Sequence, residues 1–338
     1  MANRSTTPWP ARAWRKELAN VVTDFDDLLR LLDLEERSPI ITPSAIRRFP
    51  VRVPRVFVDR MRPGDPADPL LLQVLPVEKE DEPVPGFTTD PVGELTSPPV
   101  DCVLHKYQGR ALVMVTGACA VHCRYCFRRH FPYSELESST PTWDDAVDRI
   151  ASDPAIREVI LSGGDPLTVA DSRLEVLGRR LAALPQLKRL RVHTRMPIVL
   201  PQRVDGGLIS WIGGLGLPTV VVVHANHANE IDHDVRRALA ALAATGVTLL
   251  NQAVLLSGVN DSVDALANLS EALFASRVLP YYLHMLDRVS GAAHFEVSDA
   301  EAKRLHKELT VRLPGYLVPK LVREIPGAPA KVGVDLWA

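Results

Sequence analysis

The spacing of apolar residues along this chain changes character partway through. Near the start, Trp14, Leu18, Val21, Val22, Phe25, Leu28, Leu29 and Leu32 recur three or four residues apart. That repeat gathers side chains on one helical face and predicts a helix over residues 14–34. A second, short helix is expected to open at Thr42-Pro43, because proline suits the first helical turn. Between Arg62 and Pro99 prolines crowd the chain, as in Arg62-Pro-Gly-Asp-Pro-Ala-Asp-Pro69, and leave few helix or strand options. One apolar island there, Leu70-Leu-Leu-Gln-Val-Leu75, is expected to lie extended on the main domain.

From residue 111 the pattern becomes short apolar runs alternating with amphipathic segments. Strands are predicted over 111–116, 158–162, 189–194, 219–224, 248–254 and 279–284, and a last one over 316–323. Helices are predicted over 173–184, 231–244 and 263–275, and Ser298-Asp-Ala-Glu301 has the form of a capping box opening another. This alternation predicts an α/β fold with a parallel sheet. Such sheets carry their sites at the carboxyl ends of the strands. Polar residues gather at those ends: Gly163-Gly164-Asp165, His193-Thr194-Arg195, His224, Gln252, His284 and Asp287.

Composition narrows the partners. With 338 residues and a net charge of −2, the chain has no basic field to favour nucleic acid. Apolar runs such as Val220–Val223 are far too short to cross a bilayer. Met1-Ala-Asn-Arg-Ser opens no apolar signal core. A reducing, cytoplasmic setting without membrane or nucleic-acid partners is expected.

Three of the four cysteines fall within eight residues, Cys119-Ala-Val-His-Cys123-Arg-Tyr-Cys126. Thiolates at C-x3-C-x2-C spacing can hold three irons of a [4Fe–4S] cluster, and an iron without a protein ligand can bind a small molecule. Cys102 lies well upstream. A zinc site completed by His122 or His130 is the competing metal reading. A disulfide framework needs an even set in an oxidising compartment. Phe127-Arg128-Arg129-His130 makes an electropositive rim. Either arginine could grip a substrate carboxylate or simply neutralise an anionic cluster.

This cysteine run, with Tyr125 before its last member and Ser162-Gly-Gly-Asp-Pro166 downstream, resembles the radical S-adenosylmethionine enzymes. The resemblance implies that S-adenosylmethionine chelates the open iron, that Gly163, Gly164 and Asp165 contact it, and that its reductive cleavage yields a hydrogen-abstracting radical. Longer stretches narrow it: His105-Lys-Tyr-Gln-Gly-Arg110, residues 194–203, His224-Ala-Asn-His-Ala-Asn-Glu230 and residues 251–260. From Trp14 to Leu336 the chain resembles the lysine 2,3-aminomutase family, which adds pyridoxal 5′-phosphate to the cluster and S-adenosylmethionine.

That resemblance implies a partial (β/α)6 TIM-like barrel with an N-terminal helical extension, divided as 1–100, 101–314 and 315–338. It implies that Cys119, Cys123 and Cys126 hold the cluster. Lys331, in Pro326-Gly-Ala-Pro-Ala-Lys331, would tether pyridoxal phosphate. Lys320 is a rival outside the motif. Arg110 and Gln252 would hold the cofactor's phosphate or ring periphery, Arg128 the substrate carboxylate, and Asp287 with Glu324 the substrate ε-ammonium. Many members have Asp where Glu324 stands. The N-terminal helices and proline-rich segment are expected to help cover the cavity.

Residues 117–133 and 279–287 resemble the branch that makes (R)-β-lysine from (S)-α-lysine for elongation factor P, to which a separate lysyl ligase attaches it. The chain also ends at Ala338, seven residues beyond Lys331, where larger aminomutases carry an extension. A reductant such as flavodoxin or ferredoxin is implied. The alternatives are a stand-alone catabolic or biosynthetic aminomutase and a non-catalytic iron–sulfur or zinc binding protein.

Overall fold

A computed structural model describes residues 9–35, 43–95, 102–133 and 143–336. Thr42, the expected boundary at residues 100–101 and both chain termini lie outside the described residues. Among the described residues, nine strands form one sheet in strictly sequential order. They are β1 (Val103–Tyr107), β2 (Arg110–Thr116), β3 (Glu158–Gly163), β4 (Arg189–Thr194), β5 (Thr219–Val223), β6 (Thr248–Val254), β7 (Leu279–His284), β8 (Lys320–Arg323) and β9 (Val332–Gly333). Pairing is parallel from β2 through β8. It is antiparallel at each edge, β1 on β2 and β8 on β9. Crossovers that always step the same way, with the usual right hand, stack the helices on one face and curl the sheet. This is the expected partial barrel, with the predicted C-terminal strand pairing parallel on β7 as β8.

The central strands formed where expected because they are buried runs of Val, Leu and Ile; every residue of β3 is buried. The last strand is shorter than predicted, since a 3-10 turn occupies Gly315–Leu317. Helices follow with sharp starts. Asp232 accepts from Val235 N at 2.8 Å, Ser262 from Ala265 N at 3.1 Å and Ser298 from Glu301 N at 3.3 Å. Side-chain oxygens at these positions satisfy first-turn amides that have no partner within the helix.

Two expectations about the N-terminal region change. The single helix over 14–34 is two, Ala13–Ala19 and Phe25–Leu31. The break is built in: Val22 bridges to Val53, and Asp24 caps the second helix by accepting from Asp27 N at 2.9 Å. The island over 70–75 is not extended. Asp68 accepts from Leu70 N and Leu71 N at 2.8 and 3.1 Å, and the segment coils into turns. It does dock: Leu70, Leu71, Val74 and Leu75 are buried in the same apolar cluster as Trp14, Phe57 and the barrel strands.

The barrel remains open at the backbone level. Side chains tie its two edges together instead: Lys106 and Tyr107 of β1 both reach Glu324, just past β8.

Candidate active site

Strand ends, their loops and the C-terminal segment enclose a cavity of about 780 Å³. That size suits a substantial ligand. All twelve residues singled out by sequence line it: Cys119, Cys123, Cys126, Arg128, Gly163, Gly164, Asp165, Arg110, Gln252, Asp287, Glu324 and Lys331. Cys102 does not; it packs in a separate cluster with Leu104 and Met114.

The cysteine loop leaves β2 and is clamped from two sides. On the sheet side, Gly164 N donates to Thr116 O at 2.7 Å and Asp165 N to Ala118 O at 2.8 Å. Gly163 has φ of +110°, which L side chains rarely adopt. From behind, His122 N donates to Arg52 O and Arg124 N to Gln73 O, each at 2.9 Å, while Arg52 Nε donates to Cys119 O at 2.8 Å. Arg124, fully buried, and Arg129 share the carboxylate of Glu80. Arg52, Gln73 and Glu80, from the loops and turns after those helices, brace the loop from outside, and among the described residues upstream of β1, Val92, Gly93 and Glu94 of the proline-rich segment line the cavity.

Burial pushes the Cys119 thiol up, with Cys126 adding repulsion, and pushes Cys126 up to about 11, with Cys123 adding to it. A bound metal centre reverses that balance and takes the thiols as thiolates. Among the described residues, no three His, Cys, Asp or Glu side chains converge on a point that one metal ion could occupy. Tetrahedral zinc needs ligands about 2.0–2.3 Å from a single centre. Three thiols at C-x3-C-x2-C spacing lining one cavity match the protein ligands of a [4Fe–4S] cluster with one open iron.

Asp165 lines the cavity as part of the expected glycine-rich contact segment, and both its carboxylate oxygens are engaged with the protein. One accepts from Leu167 N at 3.0 Å and Thr194 Oγ1 at 2.7 Å; the other accepts from Arg195 N at 2.7 Å and Met196 N at 3.1 Å. It ties the end of β3 to the end of β4, which leaves the glycine backbone to meet a bound molecule. Arg128 also has a partner that sequence did not reveal. Its Nε and Nη2 meet Glu94 at 2.7 and 2.8 Å. Nη1 donates to Gly163 O at 3.2 Å and Ser162 Oγ at 3.5 Å.

Elsewhere in the cavity, Glu324 accepts from Lys106 at 2.7 Å and from Tyr107 and Lys331. Burial opposes ionisation of Glu324. The Lys331 charge and these hydrogen bonds outweigh it and hold the carboxyl down at about 2. Asp287 goes the other way: burial pushes it up to about 7, with Lys331 only partly opposing. Burial likewise pushes His284 down to about 3, and His193 well below the imidazole range.

Residues 108–192, which contain all three clustered cysteines, match the family described as a 4Fe-4S single cluster domain. Over 338 residues the chain is 51% identical to the L-lysine 2,3-aminomutase of Escherichia coli K12, covering 99% of this chain and 98% of that protein. The chain belongs to the lysine 2,3-aminomutase family. The Haemophilus influenzae aminomutase is 48% identical over 318 residues, covering 94% of each chain. That of Clostridium subterminale is 33% identical over 323 residues, covering 95% of this chain and 77% of that protein.

The aminomutase family uses a [4Fe–4S] cluster, S-adenosylmethionine and pyridoxal phosphate. The residues present fit all three. The thiols suit the cluster as argued above. Polar groups without protein partners remain in the same cavity: His193 Nε2 is buried and unbonded, and among the described residues Arg110 forms no ion pair, its guanidinium lying 5.0 Å from the Tyr107 ring centroid. A buried polar atom left unpaired costs about 1–3 kcal/mol, so an occupant that bonds His193 is favoured, and the half-buried Arg110 guanidinium offers an anionic group a partner. Sequence reasoning did not single out Glu94 or Tyr107 as cavity groups, and it named His193 only among the polar residues at the strand ends.

Proposed function

We propose that this chain is a lysine 2,3-aminomutase that converts (S)-α-lysine to (R)-β-lysine and supplies it for modification of elongation factor P. The observation that carries the reading is one cavity gathering three loop thiols, Arg110 without an ion-pair partner among the described residues, Lys331 and two carboxylates of opposite protonation tendency. Full-length identity of 51% to a named aminomutase supports it independently.

When bound, the cluster and S-adenosylmethionine supply hydrogen-atom abstraction, and pyridoxal phosphate supplies the aldehyde and conjugated ring across which an amino group can move. Cys119, Cys123 and Cys126 would hold the cluster, and the backbone of Gly163 and Gly164 would face S-adenosylmethionine. Arg110 and Gln252 would hold the phosphate or ring periphery of pyridoxal phosphate, and Lys331 would tether it. Lys331 rests on Glu324 as an ammonium. A substrate ε-ammonium has the same chemistry, so when Lys331 moves to the cofactor, Glu324 and Asp287 offer it a ready counter-charge. Arg128 would meet the substrate carboxylate through Nη1, the nitrogen not engaged with Glu94. Val121, Ile160 and Val199 wall the cavity and exclude water, which protects a reactive radical from side reactions.

The elongation-factor branch draws on the resemblance of residues 117–133 and 279–287. A small flavodoxin- or ferredoxin-type carrier is the matching electron donor, and a reducing cytoplasmic setting keeps the thiols available. Among the described residues no helix is long and apolar enough to cross a membrane. The test is anaerobic: reconstituted protein, S-adenosylmethionine, pyridoxal phosphate, reductant and (S)-α-lysine, with products separated chirally. (R)-β-lysine is expected, Lys331→Ala abolishes the Schiff-base absorbance and Cys123→Ala loses the cluster. Absence of β-lysine from both free and factor-bound lysine refutes the reading. Loss of the β-lysyl mass from elongation factor P in a deletion strain tests the branch.

A further inference from the structure

We propose that Arg195 sets the reduction potential of the cluster through a charged hydrogen bond to Cys123, and that Gln73, from the N-terminal region, aims it. This rests on the reading that the three cysteines hold a cluster. Arg195 directly follows β4, and its backbone is fixed by Asp165. Its side chain is 7% exposed. Nη1 donates to Cys123 Sγ at 2.7 Å, while Nη2 donates to Gln73 Oε1 at 2.6 Å and Glu230 Oε2 at 2.9 Å. Arg195 is thus the cationic side chain on Cys123, where the Tyr125 hydroxyl is also within hydrogen-bond reach of the sulfur.

The guanidinium cannot easily turn away. Gln73 Oε1 also accepts from Asn226 Nδ2 at 3.0 Å and Tyr125 OH at 3.3 Å. Its Nε2 donates to Pro69 O at 3.0 Å and Glu230 Oε1 at 3.2 Å, so both ends of the amide are committed. Glu230 Oε1 is held in turn by Asn226 N at 2.7 Å and His227 N at 3.0 Å. Glu230 takes the Nη2 arm of the fork, and the other arm points its positive charge at sulfur.

Hydrogen bonds to cluster sulfurs and nearby charge are among the factors that set cluster potentials. When an external one-electron donor reduces a [4Fe–4S] cluster from 2+ to 1+, the added electron density spreads onto the thiolate sulfurs. A cation bonded there stabilises the reduced form more than the oxidised one and raises the potential, and a buried site screens that effect little. A purely structural Arg195, stitching β4 to the Gln73 and Glu230 segments, would leave the potential unmoved.

The experiment uses full-length protein reconstituted anaerobically, without lysine or pyridoxal phosphate. Iron and sulfide are counted, and the midpoint potential is measured by mediated titration of the reduced cluster's electron paramagnetic resonance signal. At full iron content, Arg195→Met is expected to lower the equilibrium constant for one-electron reduction about tenfold, a fall of about 59 mV. Arg195→Lys keeps the charge and recovers most of the loss. Gln73→Leu leaves every cysteine and Arg195 in place and is expected to lower the constant about threefold. A wild-type potential in iron-loaded Arg195→Met overturns the proposal. Should that variant fail to load iron, a wild-type potential in Gln73→Leu overturns it. Wild-type protein that binds no four-iron cluster refutes the cluster reading itself, an outcome visible before any variant is compared.

Discussion

Asp287 and Glu324 are both acids in one cavity, yet they titrate in opposite directions. Burial raises Asp287 to about 7, while Glu324 is held at about 2 because its cationic partners outweigh its burial. Below about pH 7 Asp287 carries a proton that must leave before it can pair with an ammonium. Lysine affinity of the cofactor-loaded protein is therefore expected to fall about tenfold per pH unit as the pH drops below about 7. Asp287→Asn should flatten that limb; a wild-type slope in the variant would place the titration elsewhere. Stability carries the matching signs. Asp287 holds its proton in the folded state between about pH 4 and 7, so its contribution falls as pH rises through that window. Glu324 stabilises above its unfolded value near 4.5 and loses that contribution as pH falls toward 2. The cysteines, the glycine pair and Lys331 were legible in sequence because their chemistry demands those residue types in short, ordered motifs. Glu94 and Gln73 were not. Each is a single polar residue in irregular chain, and their partners lie 34 residues from Glu94 and 122 residues from Gln73.

The glycine turn after β3 shows how one element fixes another. A Cβ on Gly164 would sit 2.5 Å from Ala118 O and 2.7 Å from Gly117 C, both backbone atoms of the cysteine loop. Backbone cannot rotate aside as a side chain can, so the loop itself must shift. Gly164→Ala is expected to reduce bound iron to less than half of wild type, with the far-ultraviolet circular dichroism retained. Gly206→Ala, where a Cβ meets nothing within 4 Å, is the matched control. Equal iron in the two variants would show that the close approach is not what positions the loop. At this scale the parallel strands were readable because buried β-strands are continuous apolar runs. The edge strands were not. β1 mixes His and Lys into its five residues, and β9 has only two. The break between the first two helices was hidden because Val21 and Val22 continue the apolar spacing through it, while Asp24 ends it by capping.

Over the whole molecule, the N-terminal region serves the cluster from outside the barrel. Glu80 is the pivot: it pairs with Arg124 and Arg129, all three side chains being almost fully buried. The two arginines flank Cys126 in sequence, so an N-terminal carboxylate neutralises the charge that the cysteine loop buries. A buried ion pair is weak evidence of net stabilisation, but removing one partner leaves charge uncompensated at a cost of about 3–5 kcal/mol. Here two cations would be stranded. Glu80→Ala is thus expected to destabilise the protein by about that amount, lowering the melting temperature by several degrees, and to impair iron loading at temperatures where the fold persists. Glu175→Ala breaks an exposed pair with Arg179 on the helix Asp171–Ala182 and should leave both measures unchanged. If Glu80→Ala melts like wild type and loads iron fully, the loop's order comes from the sheet side alone, through Thr116, Ala118 and the glycine pair, and the N-terminal brace has no part in building the site.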